Sequence, residues 1–136
     1  MDRALVSRSS SQDTGNIKEI DILIVDDDAG ITETLQDILL ELGFVVKTVN
    51  NGLDALHRVS TLDTRLILMD IKMPGMNGVE VLRKIKQLNP SLKVAMMTAY
   101  SLPSKIQQSF ELGAERVFQK PLEIEELIEF LAKYCK

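Results

Sequence analysis

The stretch LILMDIKMPGMNG, residues 66–78, sets how the whole chain is to be read. Leu66, Ile67, Leu68 and Met69 form an unbroken apolar run that ends abruptly in a carboxylate, Asp70. A segment apolar at every position, rather than at every second one, is the pattern of a strand buried on both faces, as in a parallel sheet covered by helices. Pro74 and Gly75 stop the strand from running on, and Asn77 and Gly78 are turn and helix-start residues. Asp70 is therefore expected at the C-terminal end of a central parallel strand, where open α/β sheets hold their ligands. Taken alone, the residue is more simply a turn cap; the rest of the chain argues otherwise.

Working outward, the same signature repeats. Residues 21–25 (DILIV) make a first buried strand, and it too ends in carboxylates, Asp26, Asp27 and Asp28. Ile31, Leu35, Ile38, Leu39 and Leu42 follow at helical spacing, with Asp28 as the N-cap and Gly43 closing the C-terminus. Residues 44–49 (FVVKTV) read as a second strand, closed by Asn50 and Asn51, and the next helix carries Ala55, Leu56 and Val59 on one face. His57 lies on that helix as an expected surface residue without a role. After the Asp70 strand, a helix runs from about Gly78 to Leu88 with Leu82 and Ile85 inward, stopped by Asn89 and Pro90. Residues 92–97 (LKVAMM) form the fourth strand, ending in Thr98, Ala99 and Tyr100. Pro103 opens a helix with Ile106 and Phe110 on one side and Gly113 after its end. A short fifth strand, residues 115–118, leads to Lys120 and Pro121, and the last helix presents Ile124, Leu127, Ile128 and Leu131 inward. Five strands alternating with five helices predict an α/β fold, a three-layer (βα)5 sandwich with right-handed crossovers. Met69, Met73, Met76, Met96 and Met97 sit on or beside apolar strands and belong to packing rather than to a cofactor.

Each central strand ends in a reactive or polar group: Asp26 and Asp27 on the first, Asp70 on the third, Thr98 on the fourth, Lys120 on the fifth. In a flavodoxin-like order of 2-1-3-4-5, the first and third strands are neighbours, and three carboxylates meet at the switch point. Three anions so close repel unless a cation sits among them. The candidates are the ammonium of Lys120 and a hard metal ion. Carboxylates, a backbone carbonyl and waters suit Mg2+, which keeps positions open for phosphate oxygens. A carboxylate beside such an ion can attack a phosphoryl group and become an acyl phosphate. Lys120 would neutralise the phosphoryl oxygens, and Thr98 would donate its hydroxyl to one of them. A cis peptide at Lys120–Pro121 would aim the lysine back into the site.

Composition closes off other classes. The chain has 136 residues, room for one substantial core, with a formal charge of -4 that gives no electrostatic reason for direct nucleic-acid binding. One cysteine and one histidine argue against a disulfide, a structural zinc site or a Cys-His nucleophile. Cys135, beside the C-terminus, reads as an incidental thiol. No apolar run is long enough for a membrane span, and the N-terminus shows no secretory h-region, which together predict a cytoplasmic protein with no membrane association. Residues 1–16, rich in Ser, Gln, Asp and Arg, are expected to be a flexible tail, leaving residues 17–136 as the domain.

Over residues 21–136 the sequence resembles the receiver domain of two-component response regulators. The resemblance is carried by VDDD at residues 25–28, LILMDIKMPGMNG around Asp70, MMTAY around Thr98 and QKP at Lys120, in this order and with a β/α unit between successive motifs. It implies a phosphoacceptor module of a two-component or phosphorelay system, of the single-domain type, and not a turnover enzyme. Asp70 would accept the phosphoryl group from a sensor histidine kinase or a phosphotransfer protein. Asp27, Asp70 and the backbone carbonyl of Lys72 would bind Mg2+, with Asp26 acting through a metal-bound water, while Thr98 and Lys120 hold the phosphoryl group. Output would then pass to a downstream protein through contacts. The chain is alternatively the N-terminal receiver of a longer regulator with a DNA-binding or enzymatic domain. A haloacid-dehalogenase-like phosphatase uses similar groups, but it places its nucleophile on the first strand and needs a cap for which this chain has no room.

One position departs from the family pattern. Receivers of this type carry Tyr or Phe three residues before the lysine, and here that residue is Val117. Valine has no large side chain to swing, which leaves open how the face made by the fourth helix, fifth strand and fifth helix reads the site. Lys72 and Tyr100, two residues beyond Asp70 and Thr98, lie where family side chains overhang the phosphate; a long lysine and a bulky ring are expected there to slow hydrolysis.

Overall fold

A computed structural model of the chain describes residues 19–61, 63–100 and 102–135. The expected N-terminal tail lies outside the described residues. Five strands, β1 (Glu19–Val25), β2 (Val46–Val49), β3 (Asp63–Asp70), β4 (Lys93–Thr98) and β5 (Arg116–Gln119), form one parallel sheet in the order β2-β1-β3-β4-β5. They alternate with α1 (Ala29–Glu41), α2 (Gly52–Thr61), α3 (Gly78–Leu88), α4 (Pro103–Glu111) and α5 (Ile124–Cys135). This is the expected three-layer sandwich.

The unbroken apolar runs divide between the two faces of the sheet. Leu23, Val25, Ile67, Met69, Val94 and Met96 pack with Ala55 of α2 and with Val81, Leu82 and Ile85 of α3. Ile22, Ile24, Leu66, Leu68, Ala95 and Met97 pack on the other side with Leu35 and Leu39 of α1 and Leu127, Phe130 and Leu131 of α5. Adjacent residues of one strand thus serve opposite cores, which is why the polar alternation of an exposed strand is missing. Leu68 and its neighbours on β3 are fully buried. Truncating one to alanine would cost about 2–5 kcal/mol.

Four local expectations need correction. Phe44 belongs to the close of α1 and not to β2, which begins at Val46; Val45 lies between them, its carbonyl accepting from the Asp21 and Ile22 N–H groups at 2.9 and 3.2 Å. Gly43 adopts φ 95°, its N–H donates to the Leu40 carbonyl at 3.0 Å, and the Phe44 N–H donates to the Leu39 carbonyl at 3.0 Å. That is a Schellman closure, with Phe44 packed in the same core as Leu39. Leu42 is the C-cap of this turn and points to solvent, 52% exposed, rather than extending the apolar face. On α4 the inward position falls to Ser109, three residues after the half-buried Ile106, and not to Phe110, which is 51% exposed. The buried Ser109 hydroxyl donates to the Lys105 carbonyl at 2.9 Å, so it enters the interior satisfied. Cys135 is a core residue: its thiol is buried beside Phe130 and Leu131, lies 3.5 Å from the Asp21 carbonyl, and is pushed up to about 11 by burial, with the charge of Asp21 adding to the effect.

Candidate functional site

The C-terminal rim of the sheet gathers the acids as the strand order requires. Asp26 follows β1 and is fully buried; Asp70 ends β3 and is 6% exposed; Asp27 is exposed. One carboxylate oxygen from each of the three lies within 4.8 Å of the others. Asp28, the fourth acid in the neighbourhood, is committed to the helix: its side chain accepts from the Gly30 and Ile31 N–H groups and caps α1.

Asp26 is held on every side. Its Oδ1 accepts from the Asp28 N–H at 3.0 Å and its Oδ2 from Lys120 Nζ at 2.7 Å. Its backbone carbonyl accepts from Asn50 Nδ2 at 3.2 Å. Lys120 reaches both acids, standing 3.2 Å from Asp70 Oδ2 as well. The Lys120–Pro121 peptide is cis, and the Lys120 N–H donates to the Thr98 carbonyl at 2.9 Å. Burial works to lower the Lys120 pKa, but the hydrogen bond to Asp26 and the charges of both acids outweigh it and raise it. Burial, joined by the charge of Asp26, pushes Asp70 up to about 6 against the opposing pull of Lys120. Three carboxylates facing one ammonium leave two negative charges in excess at neutral pH.

That excess, together with an all-oxygen donor set, fits a hard divalent cation. Asp27 is the open member: its carboxylate has no hydrogen bond or ion pair with the described residues, whereas each carboxylate oxygen of Asp26 accepts from a protein donor. The cluster lines a cleft of about 690 Å³, which also exposes Lys72, Met73, Ala99, Tyr100 and Pro121.

Thr98 sits beside this cleft but does not face it. Its side chain is buried, and its hydroxyl donates to the Tyr100 carbonyl at 2.9 Å while accepting from the Tyr100 N–H at 3.0 Å. Lys72 and Tyr100 meet across the mouth, with the ammonium 4.5 Å from the ring centroid, a cation–π contact between the loops that follow β3 and β4. Val117 is half-buried and packs on the α2–α3 side of the core with Leu102, Ile106 and Leu112. Phe118 is buried on the opposite side, edge-on to Phe130.

Sequence alone marks Asn50 only as a turn residue. Its link to Asp26 depends on β2 and β1 ending side by side, a tertiary fact that turn propensity does not carry.

Comparison with known proteins agrees with this geometry. The family described as the response regulator receiver domain matches residues 22–132. The chain belongs to that family. It is 41% identical over 113 residues to sporulation initiation phosphotransferase F of Bacillus subtilis, covering 83% of this chain and 91% of that protein. It is also 41% identical over 110 residues to the transcriptional regulatory protein ZraR of Klebsiella oxytoca, covering 81% of this chain but 25% of that protein. Among solved structures, the CheY-like receiver domain protein from Methanospirillum hungatei superposes with a TM-score of 0.80 at 32% identity, over 87% of this chain and 93% of its own. The receiver is a phosphoacceptor of two-component signalling. Receivers as a family bind Mg2+ at an acidic pocket, and the Asp26, Asp27 and Asp70 cluster supplies one here.

Proposed function

We propose that Asp70 is the residue that takes the phosphoryl group, from a phosphohistidine of a sensor kinase or of a phosphotransfer protein. An Asp70 carboxylate oxygen attacks phosphorus, the new O–P bond forms as the P–N bond breaks, and the electron pair leaves on the imidazole nitrogen. The observation that carries this reading is the bridging of Asp26 and Asp70 by Lys120 inside a cluster with two excess negative charges. Lys120, already within reach of Asp70, neutralises a phosphoryl oxygen while Asp26 keeps its ammonium in place. Thr98 gives up its bonds to the Tyr100 backbone and donates to another phosphoryl oxygen. Asp27, Asp70 and the Lys72 carbonyl would hold Mg2+, with Asp26 one shell further out; the ion would offset charge that phosphate brings into the cleft.

The domain acts once per phosphoryl group rather than as a turnover enzyme, and it signals to a downstream protein through contacts. Among the described residues no helix is long and apolar enough to cross a membrane. The Lys72–Tyr100 pair, spanning the cleft mouth, limits attacking water and lengthens the life of the acyl phosphate.

Labelling with acetyl phosphate in Mg2+, followed by intact-mass spectrometry, tests the assignment. The parent gains one phosphoryl group, while Asp70→Asn and parent protein in chelator gain none. Labelling that persists in Asp70→Asn places the acceptor elsewhere, and steady turnover of a generic phosphate ester favours a phosphatase.

A further inference from the structure

Residues 71–77 leave the sheet and return to it as α3, and the return is unusually close. The Ile71 N–H donates to the Met97 carbonyl at 2.9 Å, so the pairing with β4 continues one residue past Asp70. The Ile71 carbonyl accepts from the Gly78 N–H at 2.7 Å. Gly78 then lies hard against the backbone of Asp70. A Cβ at position 78 would stand 2.2 Å from the Asp70 carbonyl oxygen and 3.0 Å from its carbonyl carbon. Ordinary carbon–oxygen contact lies above roughly 3 Å, so a methyl group there must move something by about 1 Å.

Which part would move follows from how each side is held. On the helix side, Asn77 Oδ1 accepts from the Val79 and Glu80 N–H groups, and Glu80 Oε1 accepts from the Asn77 N–H, a reciprocal capping box. On the sheet side, the pairing of β3 with β1 ends at Met69, so Asp70 is held by β4 alone, and after the Ile71–Met97 bond the loop carrying Lys72 leaves the sheet. The strain therefore falls on the strand end and loop, the two segments that present Asp70 and the Lys72 carbonyl. Gly52 provides the contrast. A Cβ there would meet the Val81 Cγ2 atom at 2.6 Å, a side chain rather than the backbone of the acceptor residue.

Building on the reading of Asp70 as phosphoacceptor and metal ligand, we propose that Gly78 is a positioning residue, whose missing side chain seats the Asp70 peptide and so holds the Asp70 carboxylate in register with Asp27 and Lys120. Glycine is required at 78 by contact and not by backbone conformation, since the residue opens α3 as an ordinary helical residue. A shift of about 1 Å in a reacting group is enough to cost on the order of 100-fold in a reaction that depends on positioning.

The test compares Gly78→Ala and Gly52→Ala with the parent, measuring Mg2+ affinity by isothermal titration, acetyl phosphate labelling by mass spectrometry and the folded fraction by urea denaturation. Gly78→Ala is expected to lose about 10-fold or more in Mg2+ affinity per folded molecule, the size typical when the support of a metal ligand is disturbed, and to label correspondingly slowly. Gly52→Ala, overpacked against Val81, is expected to lose stability but to keep the parental affinity. Equal affinities in the two variants at matched folded fraction overturn the proposal. If Gly78→Ala is largely unfolded, trimethylamine oxide shifts it toward the compact state for the same titration; a chain that stays unfolded even then also overturns it, because the damage would lie in the fold. A parent that binds no Mg2+ removes the reading of the site itself, and this inference with it.

Discussion

At the N-terminal rim of the sheet, Arg65 lies 3.7 Å from Asp21 and Lys93 lies 3.8 Å from Glu115, with the lysine and arginine side chains 46% and 41% exposed. At the C-terminal rim, Lys120 lies 2.7 Å from Asp26 and 3.2 Å from Asp70, and the three side chains are 13%, 0% and 8% exposed. Both ends pair a basic side chain with acidic ones. The lower pairs are long and partly exposed, so screening leaves each worth about 1 kcal/mol or less. The upper group is short, dry and unmatched, and its acids repel one another at the expense of the fold. Charge is concentrated where the strand order brings β1 and β3 together, and there burial and the charge of Asp26 work against an ionised Asp70.

Removing the central cation should break this contrast most severely. Lys120→Ala leaves Asp26 and Asp70 buried without their shared partner, and the metal-free protein is expected to lose about 3–5 kcal/mol in urea unfolding. Labelling should be lost as well. A loss below 1 kcal/mol would make the upper group no different from the lower pairs.

Removing an anion should have the opposite sign. Asp70 sits at about 6 in the folded protein against an ordinary 3.8, so the folded state holds its proton more tightly than the unfolded one. Its penalty is therefore absent below pH 4, develops as pH rises through the interval from about 4 to 6, and is complete above it. Asp70→Asn is expected to gain about 2–3 kcal/mol relative to the parent between pH 4 and pH 7 without metal. Guanidine unfolding across that range measures it; an unchanged difference would mean that Asp70 titrates normally.

Smaller effects follow at the edges. Lys72→Ala and Tyr100→Ala should each hasten loss of the phosphoryl group several-fold, on the scale of a partly exposed cation–π contact of about 0.5–1 kcal/mol. Decay of the labelled protein followed by mass spectrometry checks this, and parental rates in both variants would show that the pair merely rests at the surface. Lys93→Ala, at the lower rim, should change stability by no more than about 0.5 kcal/mol, with labelling untouched.

The fold and the membership of the site were legible because both are written along single segments. A run such as Leu66 to Met69 declares its two-sided burial without reference to any other strand, and Asp28 declares its capping role by preceding α1. Once the strand order is known, Asp26, Asp27, Asp70 and Lys120 have to meet. What escaped the sequence depends on distances between segments. Ser109 and Phe110 are neighbours, and only the approach of α4 to the sheet chooses the small residue for the interior. The turn of the Thr98 hydroxyl toward Tyr100, the hold of Asn50 on Asp26 and the pressure of Gly78 on Asp70 all arise across loops whose course no periodicity describes.

The upper acids have the donor set and the excess charge of a divalent-cation site. Thermal unfolding followed while Mg2+ is added to the metal-free protein tests it most directly. A ligand that binds only the folded state raises its stability with concentration. The midpoint of the parent should climb steadily with Mg2+, and that of Asp27→Ala should stay flat. A parental midpoint indifferent to Mg2+, or an Asp27→Ala response equal to the parent's, would contradict the account.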